Sequence, residues 1–183
     1  MSAIFERRSI RYFLPKQVEQ EKLVRILRAG FEGPSAYNRR PWEFIVNTDL
    51  EERKAIAEMS PFAKMVPEAA LTITPCVNLN LGRGDNHEDT WWIQDMAAAT
   101  QNILLQIVEE GLGGVWLGWY PDQERVKAFS ERFKLPPHIL PFAVIALGYP
   151  ARVPHAEFRF DSGKVHYGCY GKKTNDAPAF LRR

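Results

Sequence analysis

Two short segments hold residues whose types and spacing can do chemistry. The first, Arg7-Arg8-Ser9-Ile10-Arg11, places three guanidinium groups and a hydroxyl within five positions. Arginine forks match phosphate oxygens bidentately and a serine hydroxyl adds a short donor, so the segment reads as a phosphate cradle. Taken alone, a basic pentapeptide is more often a solvated patch. The second, Pro34-Ser35-Ala36-Tyr37-Asn38-Arg39-Arg40-Pro41-Trp42, is a proline-punctuated loop of small polar side chains running into an apolar strand. Such a loop can bring backbone amides close to a flat ligand, although Ser35 and Asn38 taken singly are ordinary cap and turn residues.

Little else in the chain is reactive. Cys76 and Cys169 cannot make a disulfide framework, and neither they nor His87, His138, His155 and His166 show metal-ligand spacing. No serine, cysteine or threonine sits in a recognisable nucleophile elbow or beside a base. An enzyme with so little acid–base and nucleophile machinery would leave its chemistry to a bound organic cofactor, with no catalytic side chain and no metal.

With 183 residues the chain is most simply one domain, long enough to bury roughly 70% of its unfolded-state surface. A net charge of +2, from 24 basic and 22 acidic side chains that are interspersed, argues against nucleic acid as a partner. A small anion needs only a local basic cluster. No apolar run has the length of a signal peptide or a membrane span, and a reducing, cytoplasmic setting is expected.

Certain elements must position the two segments. Val18, Leu23, Ile26, Leu27 and Phe31 form a helical stripe that Gly30 and Gly33 end before Pro34. Trp42 to Val46 reads as a strand, Leu50 to Met59 as a charged helix, and Ala70 to Val77 as a strand that Pro75 marks as an edge or a bulge. Residues 79–94 are the least regular stretch; Trp91 and Trp92 within it suit either the core or a pocket mouth. From Asp95, which can cap or favour the start, to Glu110 the chain is apolar on several faces, so it is buried on several faces, and a second subunit is the expected cover. Gly111-Leu112-Gly113-Gly114 follows and leads into the strand Val115 to Trp119. A dinucleotide fingerprint needs strand, glycines and helix in that order, so this reversed order excludes it. The tetrapeptide is either a helix cap with a tight turn or a side-chain-free surface for a flat ring. A helix over about Gln123 to Phe133 and a strand from Phe142 to Leu147 complete an α+β fold, with helices flanking a mixed β-sheet. Arg159 and Lys164 stand in an irregular charged segment where base rates make them merely solvated.

Together these motifs resemble the FMN-dependent nitroreductase family, of the compact NAD(P)H oxidoreductase type. The resemblance runs from about Ile4 to Tyr170. It rests on Arg7 to Phe13, Pro34 to Asn38 with Pro41-Trp42, Asp95 with Gln101-Asn102, Gly111 to Gly118, Leu147-Gly148-Tyr149-Pro150, and a late Arg159 and Val165-His166. It implies a nitroreductase-like domain over residues 1–170 and a tail over 171–183 that is disordered or packed on a partner. It further implies a homodimer with an extensive interface and FMN bound at it. Arg7, Arg8, Ser9 and Arg11 would hold the flavin phosphate and the pyrimidine edge. Pro34, Ser35 and Asn38 would reach the ring from the other subunit, Leu112, Gly113 and Gly114 would lie beside it, and Arg159 or Lys164 would return to the phosphate. NADH or NADPH would reduce the flavin, and a nitroaromatic, quinone or other conjugated small molecule would reoxidise it, in ping-pong fashion. A flavin-binding sensor or carrier without reductase activity is the alternative, as is a specialised relative catalysing dehalogenation or consuming the flavin. One departure stands out: Arg40 occupies the place where the family commonly has glutamine before Pro-Trp.

Overall fold

The structure, a computed structural model, describes residues 2–82, 90–155 and 159–173. The expected tail beyond residue 173 and most of the irregular stretch after residue 82 lie outside the described residues. The elements in chain order are α1 (Ala3–Glu6), α2 (Gln20–Phe31), β1 (Trp42–Asn47), α3 (Leu50–Glu58), β2 (Leu71–Asn78) and α4 (Leu79–Gly82). They continue with α5 (Trp92–Glu109), β3 (Gly113–Gly118), α6 (Gln123–Arg132), β4 (Ile139–Pro141) and β5 (Ala143–Gly148).

The sheet runs β1-β2-β5-β3, with β4 also paired to β2, and every pairing between these strands is antiparallel. The parallel contribution is an isolated bridge between Ser9 and Gly114. Helices cover both faces, and the alternation along β5 shows why. Val144 and Ala146 join a cluster with Val115, Leu117, Trp119, Phe129 and Ile56, whereas Ile145 and Leu147 join Ile26, Ile103, Ile107 and Ile73. Successive strand side chains point to opposite faces, so an unbroken apolar strand needs a layer on each side.

Pro75 settles which of its two sequence readings holds. It lies inside β2, opposite Phe44 of β1, so it is not on an edge strand, but it does sit at a bulge: from Ile73 to Cys76 three steps of β2 face four steps of its partner, from Ile145 to Pro141. Its carbonyl accepts from the Phe142 amide at 2.8 Å. The nitrogen that cannot donate therefore faces the break where β2 changes partners, from β5 at Ile73 to β4 at Cys76. A missing ladder donor is harmless in that gap.

Helix α5 begins at Trp92, three residues before Asp95, and is preceded by the short helix α4 where irregular chain was expected. Trp92 is core, edge-on to Tyr120 with ring centroids 4.8 Å apart, while Trp91 is half exposed. One face of α5 buries Met96, Ala99, Ile103, Leu104 and Ile107. Ala97, Ala98, Leu105 and Val108 remain only partly covered. The helix ends in a Schellman motif. Gly111 has φ 72°, its amide donates to Val108 O at 2.9 Å, and the Leu112 amide donates to Ile107 O at 3.0 Å. Lys22 Nζ donates to the Glu110 carbonyl, and both Glu110 oxygens accept from Arg25 at 2.7 Å, so α2 is fastened to this end of α5.

Candidate functional site

The basic segment leaves α1 as extended chain along the outer side of β3. Ile10 and Phe13 are 3% and 8% exposed and belong to the core, which leaves Arg11 at the surface and Arg7 and Arg8 partly covered. The Ile10 amide donates to Gly114 O at 3.0 Å. Glycine at 113 permits this approach, because a Cβ there would lie 2.5 Å from Ile10 Cγ1 and 2.9 Å from its Cβ. The room left by the missing side chain is thus filled by isoleucine. Gly113→Ala is therefore expected to push the whole segment outward and to destabilise the protein by about 1–3 kcal/mol, the usual cost of overpacking. Thermal unfolding beside a Gly111→Ala control, whose strain is purely local, checks this.

The segment brings several positive charges together. Arg8 Nη1 donates to the carbonyls of Phe5 at 2.9 Å and Arg7 at 2.7 Å, closing the end of α1, while its buried Nε has no partner among the described residues. The Arg7 guanidinium is held below its ordinary pKa, chiefly by partial burial and then by the positive fields of Arg159 and Arg8. Three cations share one neighbourhood, and Arg7 has lost hydration there with no carboxylate paired to it among the described residues. A phosphate dianion would offset both penalties. Glu6, Arg8, Ile10, Val108, Leu112, Gly113, Pro150 and Val153 border a cleft of about 170 Å³ beside this cluster, so one carboxylate lines it with the guanidinium of Arg8. Lys164 does not join it; its ammonium lies 3.6 Å from Asp161 and is well exposed.

The second segment is fixed to the opposite end of α5. The Ala36 amide donates to Asp95 Oδ1 at 2.9 Å, and a Cβ on Gly33 would come within 3.0 Å of the Ala99 backbone. Asp95 therefore anchors the loop from the first turn of α5 rather than capping the helix. Tyr37, Asn38 and Arg40 all adopt positive φ, at 54°, 56° and 50°. Pro34 and Asn38 are exposed and Ser35 half-buried. From Asp95 to Glu109 the helix spans about 20 Å at 1.5 Å per residue. The cradle lies beyond one end and the loop beside the other, so one chain does not gather all the candidate residues into one cavity. The cleft at the cradle is also smaller than the roughly 300–1,000 Å³ of ordinary small-molecule pockets.

A cavity of about 580 Å³ elsewhere in the molecule holds none of the candidate residues. It lies between Leu14, Val18, Leu50 and Leu71, with Arg53 bracing it by donating to the carbonyls of Pro67 and Ala69. Among the described residues no three histidine, cysteine, aspartate or glutamate side chains cluster as a metal site would require. No helix among them is long and apolar enough to cross a membrane. Sequence reasoning missed the anchoring role of Asp95 and the bonds that Arg40 makes within its loop. The only prior signal for the latter was the unusual arginine itself.

Residues 4–149 match the family model described as Nitroreductase family. A protein of Methanothermobacter thermautotrophicus named NADH dehydrogenase/NAD(P)H nitroreductase is 40% identical over 166 residues, 91% of this chain and 85% of that one. The crystal structure of an NADH oxidase from Clostridium acetobutylicum superposes with a TM-score of 0.86 at 40% identity, over 92% of this chain and 100% of that one. A Desulfovibrio desulfuricans nitroreductase in complex with FMN aligns with a TM-score of 0.77 at 28% identity, over 92% of this chain and 95% of that one.

Proposed function

The chain belongs to the nitroreductase family, and from that premise we propose that it is an FMN-dependent NAD(P)H oxidoreductase whose acceptor is a nitroaromatic, a quinone or another conjugated small molecule. The observation that carries the reading is the cluster of Arg7, Arg8 and Arg159, with its depressed Arg7 and its orphaned Arg8 Nε. These donors fit a single terminal phosphate, and the glycine order beside them is wrong for a dinucleotide. Bound FMN would supply the redox chemistry, accepting hydride from NAD(P)H in one half-reaction and reducing the acceptor in the next. The protein's own part is binding, orientation and electrostatics. Arg7, Arg8, Ser9 and Arg159 would hold the phosphate, and the Leu112 to Gly114 backbone would border the ring. Arg11 and Lys164 are more exposed and would add long-range charge.

We further propose a homodimer in which two α5 helices pack antiparallel. That arrangement sets the 34–40 loop of one protomer beside the cradle of its partner and makes one site from two half-sites. The partly covered Ala98, Leu105 and Val108, with the exposed Ile4 and Phe5 of the adjoining α1, supply the apolar face for it.

Purified protein is expected to be yellow and to release FMN, not FAD, on denaturation. Mixing with NADH or NADPH in a stopped-flow spectrometer should bleach the flavin rapidly. A flavin that no nicotinamide bleaches would mark a carrier or sensor instead.

A further inference from the structure

The loop after α2 contains three left-handed residues, Tyr37, Asn38 and Arg40, none of them glycine. A side chain makes left-handed backbone unfavourable, least so for Asn, so the surroundings must hold the conformation. Much of the holding comes from Arg40. Its amide donates to Ser35 Oγ at 3.0 Å, and its Nε donates to Asn38 Oδ1 at 2.9 Å. Asp95 secures the loop from below through the Ala36 amide, and the Asn78 amide donates to Pro41 O at 2.7 Å.

These two bonds set the polarity of the loop. A guanidinium has donors and no acceptor, so only the oxygen of the Asn38 amide can face it, and the NH2 group must point away. Ser35 Oγ accepts from the Arg40 amide, which leaves its O–H to donate elsewhere. Both side chains are thereby left as donors, with a positive charge behind them. Glutamine at position 40 would permit either orientation of Asn38, since an amide can donate or accept.

We propose that Arg40 is a positioning residue that turns Ser35 and Asn38 into donors toward the flavin ring, so that the site favours reduced over oxidised FMN. This rests on the cofactor reading above, in which Ser35 and Asn38 face the ring. Its pyrimidine edge carries carbonyl and nitrogen acceptors, and two-electron reduction adds electron density to them. Donor bonds and a nearby cation therefore strengthen on reduction.

The test compares wild type with Arg40→Met, Arg40→Gln and Arg40→Lys. Fluorescence titration gives the Kd for oxidised FMN, and equilibration of bound flavin with a reference dye gives its potential; together they yield the ratio of reduced to oxidised affinity. Arg40→Met should lower that ratio about tenfold, the size of one charge-assisted bond. Arg40→Gln should lower it less, and Arg40→Lys should keep most of it. A loop that is merely loosened would weaken both redox states alike and leave the ratio unmoved. A ratio in Arg40→Met within twofold of wild type, with FMN still bound and Asn38→Leu clearly weakening it, overturns the proposal and spares the cofactor site. Unchanged FMN binding in both Asn38→Leu and Arg7→Ala, or no FMN binding by wild type, overturns the site reading and the proposal with it.

Discussion

Leu105→Glu is expected to convert the protein to a folded monomer and to strip it of FMN in the same step. Leu105 is half-exposed on α5 and borders a groove of about 330 Å³ with Ala3, Ile4 and Ala29. Its side chain is absent from the core clusters, so the change should leave the fold of one chain intact. In the proposed dimer a carboxylate at this position faces apolar surface, and two-fold symmetry enters it twice. An unpaired buried charge costs several kcal/mol, and about 3 kcal/mol already raises a dimer Kd more than a hundredfold. Sedimentation and flavin fluorescence on the same samples are the measurement. A folded monomer that binds FMN with wild-type affinity would refute the shared site. Ala98→Glu and Val108→Glu test neighbouring positions on the same helix.

Arg7→Ala should separate stability from binding. In the apo protein Arg7 is partly desolvated and lies in the field of two other arginines. Removing it relieves repulsion, and thermal stability without ligand should be unchanged or slightly higher. FMN affinity, in contrast, should fall by about 10- to 100-fold, the equivalent of about 1.5–3 kcal/mol for a charge-assisted bond to phosphate. Added salt should narrow the gap between variant and wild type, since screening weakens the contribution that Arg7 makes in wild type. Lys16→Ala is a suitable control. Its ammonium stacks over the Tyr149 ring at 3.7 Å, away from the cradle, and its loss should leave FMN affinity nearly untouched. Equal, negligible losses in the two variants would return Arg7 to a solvated patch.

How much of this was legible depends on how local the cause is. The α2 stripe, the charged α3, β1, β3 and β5 all announce themselves through periodicity and flanking turn residues, and the structure places them within a few positions. Pro75 announced an edge or a bulge; that it is the bulge depends on an extra residue in the partner stretch between Pro141 and Ile145, which no local pattern reveals. Three- and four-residue elements such as α1, α4 and β4 are too short to carry a period. Asp95 has the composition of a helix cap; its use as an anchor for Ala36 depends on residues 59 positions apart. The arginines of the cradle were legible as a cluster, but the ranking among them was not. Ile10 and Phe13 decide it by burying their own side chains, leaving Arg7 and Arg8 partly covered and Arg11 in solvent.

The 18 residues of α5 have one more consequence. In the proposed dimer this helix acts as a gauge block that sets the separation of cradle and loop, and each copy gauges both sites. Inserting one residue between Asp95 and Glu109 would turn one half-site by about 100° and advance it by about 1.5 Å relative to the other. Both sites would be spoiled together, and no loop adjustment in one protomer could restore them. The acceptor range of such an enzyme can therefore be retuned by side chains around the opening, while the length of its central helix is not adjustable.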